Sequence, residues 1–472
     1  MGRHHDRKNG FASVRGVDKM LHTVQHDTLI CTARCSGDVA VIPVGEIERG
    51  AGNGRQGSFQ GRTGDGLTGI RPVMPWSGAI DRDRPRGNRA SGQGRHYNAR
   101  SVVIDERIPD RPIVRSVGGN VVDSLNLELL KQLCAAPGIA GREDRVRAIV
   151  VEALRPLVDD LRIDALGSVV ATKRGDGPRV MIAAHMDEIG FFVSHIDDNG
   201  FLRLQPVGGF DARTLVAQRV LVHGHAGAVL RGALQPGIKP IHLLDKDEIK
   251  PPKLEEMFVD VGLPVERVRA DIELGDIVTL DRELEAVGDR VMSKAMDDRV
   301  GVFVMIEALR AIGQTNAEVV AVATTQEEVG LRGAQTAAFE IEPDVAIALD
   351  VTLALDVPGM PPELAVTRLG DGVAIKVMDS SHIANPALLR HLRDLAEANG
   401  IPYQLEILPR GGTDAGPMQL TRGGTAAVTL SIPTRYVHTV NEMADQEDIA
   451  ATISLLARFV EDAGSRSYGY KE

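Results

Sequence analysis

Cysteine is scarce: the 472 residues hold three, Cys31, Cys35 and Cys134. That number cannot build a disulfide framework. A C-x3-C pair without further cysteine is a poor zinc site, so the thiols are expected to be unpaired. Long apolar runs are missing too. None approaches the roughly 18 residues that a membrane span needs, and the opening MGRHHDRKNG lacks the apolar stretch of a secretory signal. The expectation is a cytoplasmic protein with no membrane partner. Positive charge is sparse over most of the length. Residues 1–120 hold 19 Lys+Arg against 12 Asp+Glu, and the remainder holds 35 against 53, giving a net charge of −11. So acidic a body argues against nucleic acid as a partner. It suits an enzyme that binds cations.

What is present divides into unlike parts. At 43% hydrophobic and 25% charged, the chain can form one large domain or two to three ordinary ones with real cores. Residues 50–100 are dense in Gly, Arg, Asn, Gln and Ser with almost no apolar periodicity, which cannot offset the entropy of ordering. Residues 1–120 are therefore expected to be a disordered Arg/Gly-rich extension, with local strands at best over Val39–Val44 and Ser101–Ile104. From Ser124 the pattern changes. SLNLELLKQLCAAPG predicts a helix stopped by Pro137-Gly138, and GREDRVRAIVVEALRPL predicts another with acids in its first turn. Short strands are expected over Leu161–Ile163 and Ser168–Thr172. RVMIAAHMDEIGFFVSHI then reads as two strands with His185, Asp187 and Glu188 between them.

Residues 195–290 carry only short strand-like runs, such as Phe201–Leu204, Arg219–Val222, Ala228–Ala233 and Ile277–Leu280. Strand–helix alternation returns at Met292, with helices over DDRVGVFVMIEALRAIG, ANPALLRHLRDLAEANG and Glu447–Ala463. The predicted class is α/β. Residues 121–194 and 291–472 form a mixed, mostly parallel sheet flanked by helices, and residues 195–290 form an inserted, barrel-like β-rich domain.

The chemistry centres on AVATTQEEVGLRGA, residues 321–334, where an apolar strand ends in adjacent acids, Glu327 and Glu328. Open α/β sheets place ligands at such carboxyl ends. Neighbouring side chains on extended backbone point to opposite sides, so one acid can bind a metal while the other moves protons. Four further groups occupy comparable places. His185 follows RVMIAA, Asp297 opens a helix, Asp350 ends VAIAL, and His438 follows TLSIPTRYV. Two histidines and three carboxylates suit two divalent ions, zinc or cobalt, with one carboxylate bridging. Such a pair can activate water and polarise a carbonyl. Glu327 is placed as the general base, and Asp187 can orient the His185 imidazole.

AAHMDEIGFFV, SKAMDDRVG, TTQEEVGLRGA, ALDVT, GGTDAG and SIPTRYVHT occur in one order over residues 124–472. In this the chain resembles the M42 metallo-aminopeptidases, the TET or glutamyl aminopeptidases, some labelled endoglucanases. The resemblance implies that Asp297 bridges two ions, with His185 and Asp350 on one and Glu328 and His438 on the other. It implies Glu327 as base then acid, Asp187 as supporting acid, and a cis peptide at Asp297-Asp298. It also implies short peptide substrates, a dimerisation role for the β-rich insert, and dimers that assemble into a hollow dodecamer. The N-terminal 120 residues depart from the family pattern.

Other residues have plainer readings. His195 reads as surface, His223 and His225 as parts of the β insert, and Asp298 as a helix cap or a support for Asp297. His382 and Asp414 are candidates for contact with substrate. A deacylase or carboxypeptidase on the same scaffold, or a non-catalytic assembly, is the alternative function. An endoglucanase would need two carboxylates flanking the scissile bond and no metal.

Overall fold

The computed structural model describes residues 20–25, 28–35 and 38–44 as backbone, and residues 124–239, 241–243 and 251–469. It divides into two units, Met1–Arg100 and Ser101–Glu472. In the first, strands Met20–Gln25, Thr28–Cys35 and Asp38–Val44 form an antiparallel sheet. The rest of the expected 1–120 extension, Ser101–Ile104 included, lies outside the described residues.

The second unit is built on an eleven-stranded mixed sheet. Its centre is four parallel strands, in order Ala426–Arg435, Val345–Leu353, Arg179–His185 and Glu318–Thr324. Antiparallel strands extend both sides, Val169–Lys173 beside Glu318–Thr324 and Glu442–Asp445 beside Ala426–Arg435. The expected parallel character thus belongs to the centre. Side chains alternate across a strand. Val180 and Ile182 enter one buried cluster, and Met181 and Ala183 enter the other. A sheet covered on both faces needs apolar residues at every position, which is why VMIAA reads as an unbroken run.

One face is covered by helices Leu127–Ala135, Asp144–Leu154, Met296–Ala311, Pro386–Asn399 and Gln446–Asp462. Arg332–Ile341 and Ala415–Gln419 cover the other. Capping fixes their ends. Asn385 accepts the N–H groups of Ala387 and Leu388 ahead of Pro386, and Gly400 closes that helix at φ 64.

Strands Gly190–Ile196, Leu202–Val207, Gln218–His223, Val229–Pro236, Met257–Asp260 and Ile277–Leu280 close into a barrel. It begins a little before residue 195. Phe191, Val193, Val220, Val222, Leu234 and Val278 fill it. The α-helices in this region, Ala212–Leu215 and Val265–Asp271, are short, in keeping with the absence of a long amphipathic pattern.

Candidate metal centre

The four central strands all deliver their C-terminal ends to one edge. His185 is the last residue of its strand. Glu327 and Glu328 follow Thr324 after a turn in which Gln326 has φ 58. Asp350 lies near the end of Val345–Leu353, and His438, itself at φ 62, follows Arg435. Asp297 comes from the first turn of Met296–Ala311, and its peptide bond to Asp298 is cis.

These five side chains meet. His185 Nε2 lies 3.1 Å from Asp297 Oδ1, and His438 Nε2 lies 3.2 Å from Asp297 Oδ2. His438 Nε2 is also 3.4 Å from Glu328 Oε1. They fall into two groups, His185 with Asp297 and Asp350, and Asp297 with Glu328 and His438, each with ligand atoms within 4.8 Å of one another. Asp297 is common to both, with one oxygen toward each histidine.

The donor set fits a pair of divalent cations. Glu328 Oε1 is buried without a hydrogen-bond partner, an expensive state for a carboxylate oxygen. Asp297, Asp350, Glu327 and Glu328 crowd one pocket. Burial pushes Glu327 and Asp350 well above the usual carboxylate range, and neighbouring carboxylates add to it. Glu328 rises for the same reasons. Burial also opposes charge on Asp297, yet hydrogen bonds from both imidazoles hold it low. His438 is pushed up to about 12: burial works against its charge, but Asp297 and Glu328 prevail. A site that retains protons on so many anionic groups is one where divalent cations can replace them.

Asp187 does more than orient an imidazole. His185 Nδ1 donates to the main-chain oxygen of Asp187 at 3.0 Å, while the carboxylate is 3.7 Å away. That carboxylate instead accepts the N–H groups of Glu327 at 3.0 Å and Glu328 at 3.1 Å. It fixes the turn that aims both acids. Glu442 plays a matching part that the sequence did not disclose. It accepts the N–H of His438 at 2.7 Å and of Asp297 at 3.0 Å. Burial, with the nearby Asp297 charge, pushes its pKa up to about 8.

The five residues border a cavity of about 650 Å³ also lined by Leu331, Val351, Leu353, Leu408, Lys376 and Arg410. Lys376 was legible in principle, as a charge inside the apolar strand Val373–Met378. It is buried, with Nζ 2.9 Å from Glu406 Oε1. A second cavity of about 730 Å³, lined by Asp344, Gln419, Arg466 and Tyr468 among others, includes none of the five.

Neither substrate-contact candidate lines the first cavity. His382 is buried 3.1 Å from Asp379, and its neighbours Ser380 and Ser381 face the space instead. Asp414 is buried behind Gly411, Gly412 and Thr413, where it accepts from Thr324 Oγ1 at 2.6 Å. Both side chains pack behind the wall they were expected to form, Asp414 bonded to Thr324 and His382 set against the Asp379 carboxylate. Asp298 accepts the Gly301 N–H at 3.1 Å and so caps its helix. His195 is exposed, and His223 is buried in the barrel beside Thr279.

The chain is similar to known peptidases over most of its length. A family model described as M42 glutamyl aminopeptidase matches residues 167–455. A putative aminopeptidase of Acetivibrio thermocellus is 40% identical over 336 residues, spanning 71% of this chain and 98% of its own. Among solved structures, aminopeptidase APDkam598 from the archaeon Desulfurococcus kamchatkensis is 45% identical with a TM-score of 0.69, covering 71% of this chain and 94% of that one. The Pyrococcus horikoshii TET1 peptidase, described as assembling into a tetrahedron or a large octahedral shell, is 30% identical with a TM-score of 0.64, over 71% and 98% of the two chains.

Proposed function

The chain belongs to the M42 glutamyl aminopeptidase family, and from that membership we propose how its residues carry out the reaction. The protein is an aminopeptidase, a hydrolase that releases N-terminal residues from peptides. His185 and Asp350 would hold one divalent ion, Glu328 and His438 a second, and Asp297 both. Zinc and cobalt fit imidazole and carboxylate donors. Two such ions would make water acidic and polarise the scissile carbonyl. Glu327, whose Oε2 lies 3.9 Å from His185 Nε2, takes the proton from water and returns it to the leaving amine. Burial raises its pKa, which strengthens it as a base toward water. Asp187 holds the Glu327–Glu328 turn. The substrate lies along the cavity, and an apolar wall of Leu331, Val351, Leu353 and Leu408 receives its N-terminal side chain.

The observation that carries this reading is the sharing of Asp297 between two ligand groups. Metal counting after dialysis tests it, with two ions per chain expected. A panel of aminoacyl and N-acyl chromogenic substrates separates the aminopeptidase from a deacylase on the same scaffold. Cleavage of only the N-acyl set overturns the assignment.

The barrel is the proposed dimerisation domain, and a dodecamer the proposed assembly. Support for a large assembly comes from the similar Pyrococcus horikoshii TET1 peptidase, which can assemble into a tetrahedron or a large octahedral shell. A closed shell would admit only unfolded or short peptides. The proposed location is the cytoplasm, in keeping with the few cysteines. Among the described residues no helix is long and apolar enough to cross a membrane.

A further inference from the structure

We propose that Glu442 is a positioning residue for the second cation position, the one formed by Asp297, Glu328 and His438. This rests on the ligand assignment above. The case begins with what Glu442 lacks. Its carboxylate is buried, and among the described residues no lysine or arginine forms an ion pair with it. A buried carboxylate without a cation is costly and persists where its oxygens have other work. Here each oxygen accepts one main-chain N–H, Oε1 from His438 and Oε2 from Asp297. Those donors are 141 residues apart, and both belong to proposed ligands of the same ion.

The backbone explains why this clamp is needed. His438 has φ 62, a left-handed conformation that a non-glycine residue keeps only when its surroundings fix it. The Glu442 bond to the His438 N–H supplies that constraint. Strand pairing places Glu442 where it can act on both ligands. Glu442 lies opposite Ser293 at the end of the strand that leads to Asp297, and only three residues separate it from His438. One carboxylate therefore ties the loop that presents His438 to the helix that presents Asp297.

The two positions should not depend on Glu442 equally. Asp297 is also held by its helix and faces His185 through Oδ1, whereas His438 lies in a loop between Arg435 and Glu442. His185 and Asp350 are delivered by central parallel strands that pair with each other, whereas the Glu442 strand pairs with Arg290–Ser293 and Ala426–Arg435. Loss of the clamp should therefore loosen the second position and spare the first. Asp187 offers an internal parallel: it gathers the N–H groups of Glu327 and Glu328 in the same way.

The test is Glu442→Gln in the full chain. An amide keeps one acceptor and points an NH2 group at the other N–H. Zinc titration against a competing chelator is the readout, with circular dichroism and thermal melting as the fold check. The parent chain is expected to take up two zinc ions. The variant is expected to keep one at parental affinity and to bind the other about ten-fold or more weakly. Glu442→Asp, which retains two acceptor oxygens, should recover part of the loss and serves as the comparison if the amide variant does not fold. Equal weakening of both ions with a lowered melting temperature would show a merely structural role and overturn the proposal. So would parental affinity at both positions in either variant. A parent chain that binds no zinc would instead refute the ligand assignment itself.

Discussion

Glu327 and Glu328 are sequence neighbours assigned different duties by what surrounds them. Glu328 faces His438, and Glu327 faces the cavity. Glu327→Gln should leave the fold and both ions in place and lower kcat about 100- to 10,000-fold, the usual worth of a general base. Steady-state kinetics on a leucyl or glutamyl chromogenic substrate, with metal counting on the same sample, checks this; parental turnover would move the base elsewhere. His223 gives a prediction away from the site. Burial first, and the Arg145 guanidinium second, push its pKa down to about 4 from 6.5. The unfolded imidazole therefore binds more protons than the folded one between those values, so stability falls as pH drops through that window. The slope approaches about 1.4 kcal/mol per pH unit for one group. His223→Gln should flatten the dependence of the urea midpoint on pH in that interval. The assigned acids and histidines were legible as residues because each follows an apolar strand or opens a helix. Glu442 was not, because a carboxylate that accepts two distant N–H groups leaves no periodic mark on a sequence.

At the level of elements, strand ends and helix starts carry the site. The helix Met296–Ala311 must hold Asp297 at its first turn while its body is buried among the other helices and the sheet. Phe303 is fully buried in that body. Phe303→Ala should destabilise the protein by about 3–5 kcal/mol, read as a shift of the denaturant midpoint. Gly301 shows how tight the entry is. A Cβ there would come 2.3 Å from Asp298 Oδ2, so Gly301→Ala should displace the cap and lower metal content, measured by the same counting. Element existence was readable from apolar period, as in the helix over ANPALLRHLRDLAEANG. Strand order was not, since the runs VMIAA and VAIAL announce burial but name no neighbour.

For the whole molecule, the expected behaviour is that of a metal-dependent aminopeptidase built as an oligomer. Excess chelator should abolish peptide hydrolysis, and added zinc or cobalt should restore it. Activity that survives complete metal removal would end the dinuclear scheme. Light scattering should find a mass far above one chain, with the dimer as the smallest unit. A chain beginning near Asn120 is expected to keep full activity, and a large loss would give the N-terminal extension a role in catalysis or assembly.

Residue chemistry and local periodicity were enough to mark a candidate ligand set for water-activating cations, because a strand that ends in a histidine or acid is a local pattern; the peptidase reaction came from the order of motifs that resembles the M42 family. Three-dimensional folding settled the partnerships: that Asp297 faces two imidazoles, that the Asp187 carboxylate holds a turn rather than a ring, and that His382 and Asp414 lie behind the cavity wall. These facts depend on contacts between residues more than a hundred positions apart or on which way a buried side chain turns. Helical and strand periods describe neighbours a few residues away and contain neither.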